Sequence, residues 1–273
     1  RGRSASAWIG RPKCVARARL FWFAFPPEVP VKSPKAYRNT IMSFAIALVA
    51  SAAPLLGADP EPGFTALFNG KDLSGWSGNS EIWSVRDGLI TGETKADPKL
   101  THNTFLVYTN GNFSNFELRL SYRITGGNSG IQYRSRALEP GDCGPIITGY
   151  QADIEAGKNH TAILYEERGR GILAKRGQKV VIPETEGKAK PEVVGSLGDA
   201  AALQGNIKDK DWNDYVVVAN GNHLQHFING VQMIDVIDNQ ASKAAKDGLL
   251  AFQVHVGPPM TVQFRDVRIR ALP

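Results

Sequence analysis

Phe116-Glu117-Leu118-Arg119-Leu120-Ser121-Tyr122-Arg123-Ile124 alternates apolar and polar residues without a break. Side chains on a β-strand point to opposite faces in turn. Phe116, Leu118, Leu120, Tyr122 and Ile124 therefore bury on one face, and Glu117, Arg119, Ser121 and Arg123 leave on the other. The same period of two recurs along the chain. Strands are expected at Ile82–Val85 and Leu89–Gly92, and again at Phe105–Val107, Gly130–Arg134 and Tyr150–Ile154. The second half adds Tyr215–Ala219, His223–Ile228, Gln232–Val236, Leu249–Val256 and Thr261–Ile269. Turn signals separate them: Arg86-Asp87-Gly88, Asn220-Gly221 and Asn229-Gly230 each sit where a hairpin would reverse the chain. Only Asp238–Asp247 looks helical, for about two turns. Residues 156–213 are rich in Gly, Lys, Glu and Pro and read as long loops with one or two weak strands. About a dozen short strands with turns between them imply an all-β sandwich. No fixed-period repeat or second composition regime appears, so residues 59–273 read as one domain.

The segment before this domain has a different character. Residues 1–41 hold nine Lys or Arg and one acid, Glu28, with no strand or helix period, and read as a leader outside the fold. Met42 opens Met-Ser-Phe-Ala-Ile-Ala-Leu-Val-Ala-Ser-Ala-Ala-Pro-Leu-Leu-Gly-Ala, a short apolar run with small residues at its end. Residues 42–58 thus read as a secretory signal cleaved near Ala52 or Ala58, which implies export to a periplasmic or extracellular space. The run is too short to span a bilayer, which takes about 20 apolar residues. The whole chain carries 32 basic and 26 acidic residues. Without residues 1–58 the balance is 23 to 25, so the basic excess belongs to the leader and gives no ground for nucleic-acid binding. Of two cysteines, Cys14 lies in the leader and Cys143 in the domain. No disulfide can form within the domain, and ~215 residues bury a sizeable core without one.

Three strand segments carry unusual polar residues. Gly127–Arg134 presents Asn128, Gln132 and Arg134; Gly149–Glu155 presents Gln151, Asp153 and Glu155; Leu250–His255 presents Gln253 and His255. Ordinary solvent faces show Lys, Thr and Glu. If these strands share a sheet, one face offers amides, carboxylates, a guanidinium and an imidazole together. That set suits a sugar ring, and it contains groups able to move protons. Glu117 and Arg123 either form cross-strand ion pairs on an outer face or reach the same ligand. Glu166, Glu167, Arg168 and Arg170 form a charge run with the look of a solvated loop. Trp76, Trp83 and Trp212 read as core or sheet-edge anchors.

Leu67–Trp76 (Leu-Phe-Asn-Gly-Lys-Asp-Leu-Ser-Gly-Trp), together with Phe116–Arg123, Gly127–Arg134, Gly149–Ile154 and Phe252–Pro258, resembles the 3-keto-disaccharide hydrolase domain family. The resemblance spans about Gly63 to Leu272. It implies a concanavalin-like jelly roll of two antiparallel sheets, the concave one holding a sugar. It also implies action on glycosides oxidised to a ketone at C3.

A C3 ketone acidifies the C2 proton. A base removes it, the enolate expels the C1 substituent, and water then adds. Such a site needs a base, a donor at the C3 oxygen and an acid at the leaving oxygen. His255, Asp153 and Glu155 are the candidate acids and bases, and Arg134 the candidate for the enolate. Gln132, Gln151, Gln253, Asn128, Glu117 and Arg123 are candidates for binding the substrate. His255 with Asp153 or Glu155 would also suit a divalent metal ion that polarises the ketone. Direct hydrolysis by a carboxylate pair is a third scheme, since Asp153 and Glu155 lie roughly 7 Å apart along one strand. A non-catalytic, lectin-like carbohydrate-binding module on the same fold is the alternative to an enzyme, because fold alone does not separate them.

Overall fold

A computed structural model describes residues 61–97, 99–141 and 144–273. The expected leader, signal segment and Cys143 lie outside these residues. The strands are β1 (Thr65–Ala66), β2 (Trp76–Ser77), β3 (Trp83–Arg86), β4 (Leu89–Glu93), β5 (Thr104–Tyr108) and β6 (Phe116–Thr125). They continue with β7 (Asn128–Gly141), β8 (Gly144–Glu155), β9 (Leu164–Glu167), β10 (Gly171–Ala174), β11 (Gln178–Ile182) and β12 (Glu192–Ser196). After one short helix α1 (Ala200–Gln204) come β13 (Asn213–Asn220), β14 (His223–Ile228), β15 (Val231–Asp238), β16 (Leu249–Val254) and β17 (Thr261–Ala271).

Two sheets face each other. The back sheet runs β12-β11-β15-β14-β13-β6-β17-β4-β3, with β1 paired to β17. The front sheet runs β10-β9-β8-β7-β16-β5-β2. Every pairing is antiparallel except β11 with β15, which run parallel. The chain is thus the expected all-β jelly-roll sandwich. The alternation read from β6 decides which side meets the core: Leu118, Leu120 and Tyr122 are at most 2% exposed and pack toward the front sheet. From the front sheet Ile131, Tyr133, Ala152, Ile154, Phe252 and Val254 fill the other half of the same core. Phe252 stacks on Phe264 of the back sheet at 4.0 Å between ring centroids and on Trp76 at 5.0 Å. One continuous aromatic column therefore joins the layers. His226 lies between them, between the hydroxyls of Tyr133 at 3.1 Å and Tyr215 at 3.4 Å. Burial holds its imidazole down to about 3, so it sits neutral in the core.

Three local expectations fail. Residues 238–247 form no helix. Asp238 is drawn into the core by Tyr150 and Arg170, and its Oδ1 accepts from the Gln240 backbone N–H at 3.1 Å in a tight turn. The helix lies instead at Ala200–Gln204, where Asp199 Oδ1 accepts from the N–H groups of Ala201 and Ala202. Residues 156–213 hold four strands, β9 to β12, where long loops with one or two weak strands were expected. The charge run at 166–170 is a hairpin turn with an exposed tip at Arg168 and buried carboxyls at Glu166 and Glu167, because Arg170 pairs with both Glu166 and Asp238 inside the fold.

Candidate active site on the front sheet

Alternation in the front sheet turns Tyr150, Ala152 and Ile154 inward and Gln151, Asp153 and Glu155 outward. Register then builds the outer face. Gln132 pairs with Gln151, Gly130 with Asp153, and Asn128 with Glu155 across β7 and β8. On the other side of β7, Gln253 pairs with Gly130. Asp153 and Gln253 thus flank a glycine. A Cβ on Gly130 would stand 2.5 Å from Cγ and Cδ of Gln151. Its backbone angles are ordinary, so the glycine is there for space: the hollow above it receives the Gln151 amide.

Amides fill that hollow in a chain. Ser135 Oγ donates to Gln132 Oε1 at 2.9 Å, and Gln132 Nε2 donates to Gln151 Oε1. Gln253 Nε2 donates to the same Gln151 oxygen at 3.0 Å and to Glu167 Oε2 at 3.3 Å. Gln151 Nε2 donates to Asp153 Oδ1. Gln132, Gln151 and Gln253 are all at most 2% exposed, so water does not compete for these groups.

Two carboxyls end the chain, and both are perturbed. Burial pushes Asp153 up to about 7, against hydrogen bonds from Gln151 and Asn128 and the attraction of His160, with Glu155 adding to the rise. Burial also pushes Glu167 up, opposed by His255, Arg168 and hydrogen bonds from Gln253 and Asn103. Among the described residues neither carboxyl has a salt-bridge partner. Tyr165, paired with Gln151 on β9, is raised by its own burial and by both carboxylates. Glu167 lies three strands from Gln253, roughly 14 Å in a flat sheet. Their contact therefore reports a strongly concave face. His255, half-buried just past β16, donates Nδ1–H to the Val256 carbonyl and lies close enough to Glu167 to act on it electrostatically.

The far half of the β7–β8 hairpin curls over this concavity. Phe105, Val107 and Ala251 point outward from β5 and β16, and Ile147 of β8 covers them in a second apolar cluster. A Cβ on Gly144 would lie 3.8 Å from Thr104 Oγ1, which confirms that the hairpin reaches across to β5.

The structure brings together Asp153, Gln132, Gln151, Gln253 and Asn128, with His255 at the edge, and removes four candidates. Arg134 leaves the ligand face because β7 bulges between Tyr133 and Arg136 and Arg134 takes a left-handed φ of 45°. Its guanidinium instead donates to the carbonyls of Ser114, Gly221 and Ala245 and to Asn115 Oδ1, tying the two sheets. Glu155 turns to the following loop, where it accepts from the N–H groups of Asn159 and His160 and pairs with His160 Nδ1 at 2.9 Å. Burial pushes Glu155 up, but these bonds outweigh it and hold it below the usual carboxylate range. Glu117 and Arg123 lie on the outer face of the back sheet. Glu117 pairs with Arg119 and Arg270, and Arg123 bonds Gln263 and stacks on Trp212. Among the described residues no three His, Cys, Asp or Glu side chains gather to hold a metal ion.

Glu167, Asn103 and Tyr165 were not singled out from the sequence. The signal lay in Glu167-Arg168-Gly169-Arg170-Gly171, whose Gly-bounded turn marks a hairpin with Tyr165 and Glu167 on one face. A separate cleft of about 520 Å³ opens beside Arg134, Arg136, Glu166 and residues 241–247. Two of its charged groups are already engaged, Arg134 by carbonyls and Glu166 by Arg170.

The solved structures similar to this chain include the following three. A protein provisionally assigned as a glycosyl hydrolase from Parabacteroides distasonis ATCC 8503 is 21% identical over 77% of this chain and 94% of its own, with a TM-score of 0.46. A carbohydrate-binding module, CBM66, from Bacillus subtilis is 14% identical over 72% of this chain and 96% of its own, with a TM-score of 0.45. A Bacillus subtilis protein of unknown function with a galectin-like fold is 11% identical over 73% and 90%, with a TM-score of 0.48. No curated protein matches the chain. Residues 63–270 match the 3-keto-alpha-glucoside-1,2-lyase-like domain, which covers both sheets and every group of the site, and the chain belongs to that family.

Proposed function

We propose that the concave face cleaves glycosides bearing a ketone at C3, by removing the C2 proton, expelling the C1 substituent and adding water to C1 of the resulting enone. Family membership supports a sugar-directed activity. The observation that carries the finer reading is the pair of buried, raised carboxyls, Asp153 and Glu167, on one face beside His255. A carboxylate whose proton affinity lies near neutral pH is a stronger base than an exposed one and is still ionised in useful amount. Asp153 takes the C2 proton. Glu167, whose hold on a proton burial strengthens, gives that proton to the departing oxygen at C1. His255, close enough to Glu167 to act on it electrostatically, donates to the C3 oxygen as the enolate forms. That role replaces the one expected of Arg134. Balance is simple: C2–H and C1–O break, a C1–C2 double bond forms, and the aglycone leaves as an alcohol. Water then adds its oxygen to C1 and its proton to C2.

The test pairs native glycosides with their 3-oxidised counterparts, with and without EDTA, and measures released aglycone. Release from the 3-oxidised member alone is expected. Tight binding of both members without release would make this a carbohydrate-binding module.

A further inference from the structure

We propose that Gln132 is a positioning residue that fixes the direction of the amide chain over Gly130 and thereby sets how firmly Asp153 holds its proton. The inference rests on the role given to Asp153 above. Gln132 touches neither carboxyl. It acts because Gln151 Oε1 receives two donors at once, Gln132 Nε2 and Gln253 Nε2. With that oxygen occupied, Gln151 can present only its Nε2–H to Asp153.

The chain has a second consistent direction. If Asp153 is protonated, its O–H can donate to a reversed Gln151, whose Nε2–H then meets reversed Gln132 and Gln253 oxygens. Ser135 permits this, because its hydroxyl has an alternative acceptor in the Tyr133 carbonyl at 3.0 Å. Gln253 Oε1 is buried with no partner in the direction described here, and reversal aims it at Gln151 and Glu167. A single amide reversed alone would set two oxygens or two N–H groups against each other in a dry site, which is costly for every pair lost. The amides therefore turn together, and the proton on Asp153 is coupled to the whole chain. The other charged or titratable groups that act on Asp153 are Glu155 at the end of β8, His160 in the loop after it, Tyr165 on β9 and Tyr215 on β13.

The test is a carboxyl ¹³C NMR titration of Asp153 in the wild type and in Gln132→Met, which keeps the volume and removes the donor. Freed from Gln132, Gln151 turns its oxygen to Asp153 more readily, and an oxygen there favours the protonated acid. The Asp153 midpoint should rise by half a unit or more, and the acidic limb of the kcat profile should move with it. Ser135→Ala should shift it the same way by less. A folded Gln132→Met with the midpoint moved by less than half a unit overturns the inference. The wild type decides the matter if that variant does not fold: the Gln132 carboxamide protons should titrate with the Asp153 midpoint, and flat Gln132 signals overturn the proposal. None of these NMR readouts uses substrate, so a failure of the cleavage reaction and a failure of the chain give different results.

Discussion

At the residue scale, Asp153 is the group on which the chemistry and its cost both fall. A carboxyl raised to about 7 when folded and near 4 when unfolded holds its proton more tightly in the fold. Its favourable contribution is complete below pH 4 and is lost as pH rises through 7. Asp153→Asn removes that loss. The variant should lose ~100-fold or more in kcat, the scale for an acid–base group. It should also melt higher than wild type at pH 8, by an amount on the order of 1–4 kcal/mol, with the gain shrinking toward pH 4. Thermal scans at the two pH values check this; a variant that melts lower at pH 8 contradicts it. Glu167→Gln should cost a similar factor in kcat with leaving groups of high pKa, and much less when the leaving group is a phenol that departs unaided. Steady-state rates on paired aglycones read that difference. The sequence pointed to Asp153 through its strand alternation. It concealed Glu167, because a run of charges is usually solvated and nothing local announces that Arg170 will bury beside Glu166 and Asp238.

At the scale of elements, the strands were legible and their irregularities were not. Period two identified β14 to the residue, β6 within one residue and the middle of β13, since each buries one face and leaves the other wet. The same rule assigned Arg134 to the ligand face, and the bulge in β7 defeated it. A bulge adds a residue to one strand only, and its signal is a partner strand that single-sequence periodicity does not contain. Arg134 is accordingly a strut. Arg134→Met should leave the Ser114 and Gly221 carbonyls without their charged donor and destabilise the fold by about 3 kcal/mol. Denaturant melts check the loss. The kcat of the protein that remains folded should stay within several-fold of wild type, because the guanidinium touches none of the reacting groups.

At the scale of the whole molecule, the back sheet and the aromatic column hold the front sheet curved, and curvature is what lets side chains from β9 and β16 meet. Phe264→Ala cuts the column at its 4.0 Å stack and should cost about 3–5 kcal/mol in a chemical melt. His226 sets the acid limit of the sandwich. Its folded pKa is held at about 3, well under the ordinary imidazole value, so stability is lost as pH falls from about 6.5 toward 3. Alternation and turn signals foretold two sheets, yet the depth of the concavity comes from bulges and from packing between layers. The central claim is that cleavage begins at C2. The direct measurement is turnover of a 3-keto-glucoside in D₂O, stopped early, with deuterium counted at C2 of the released sugar. Elimination followed by hydration places one deuterium there per turnover, above the slow exchange of a no-enzyme control. Release of a sugar that keeps its C2 proton, or equal cleavage of the unoxidised glucoside, would contradict the account.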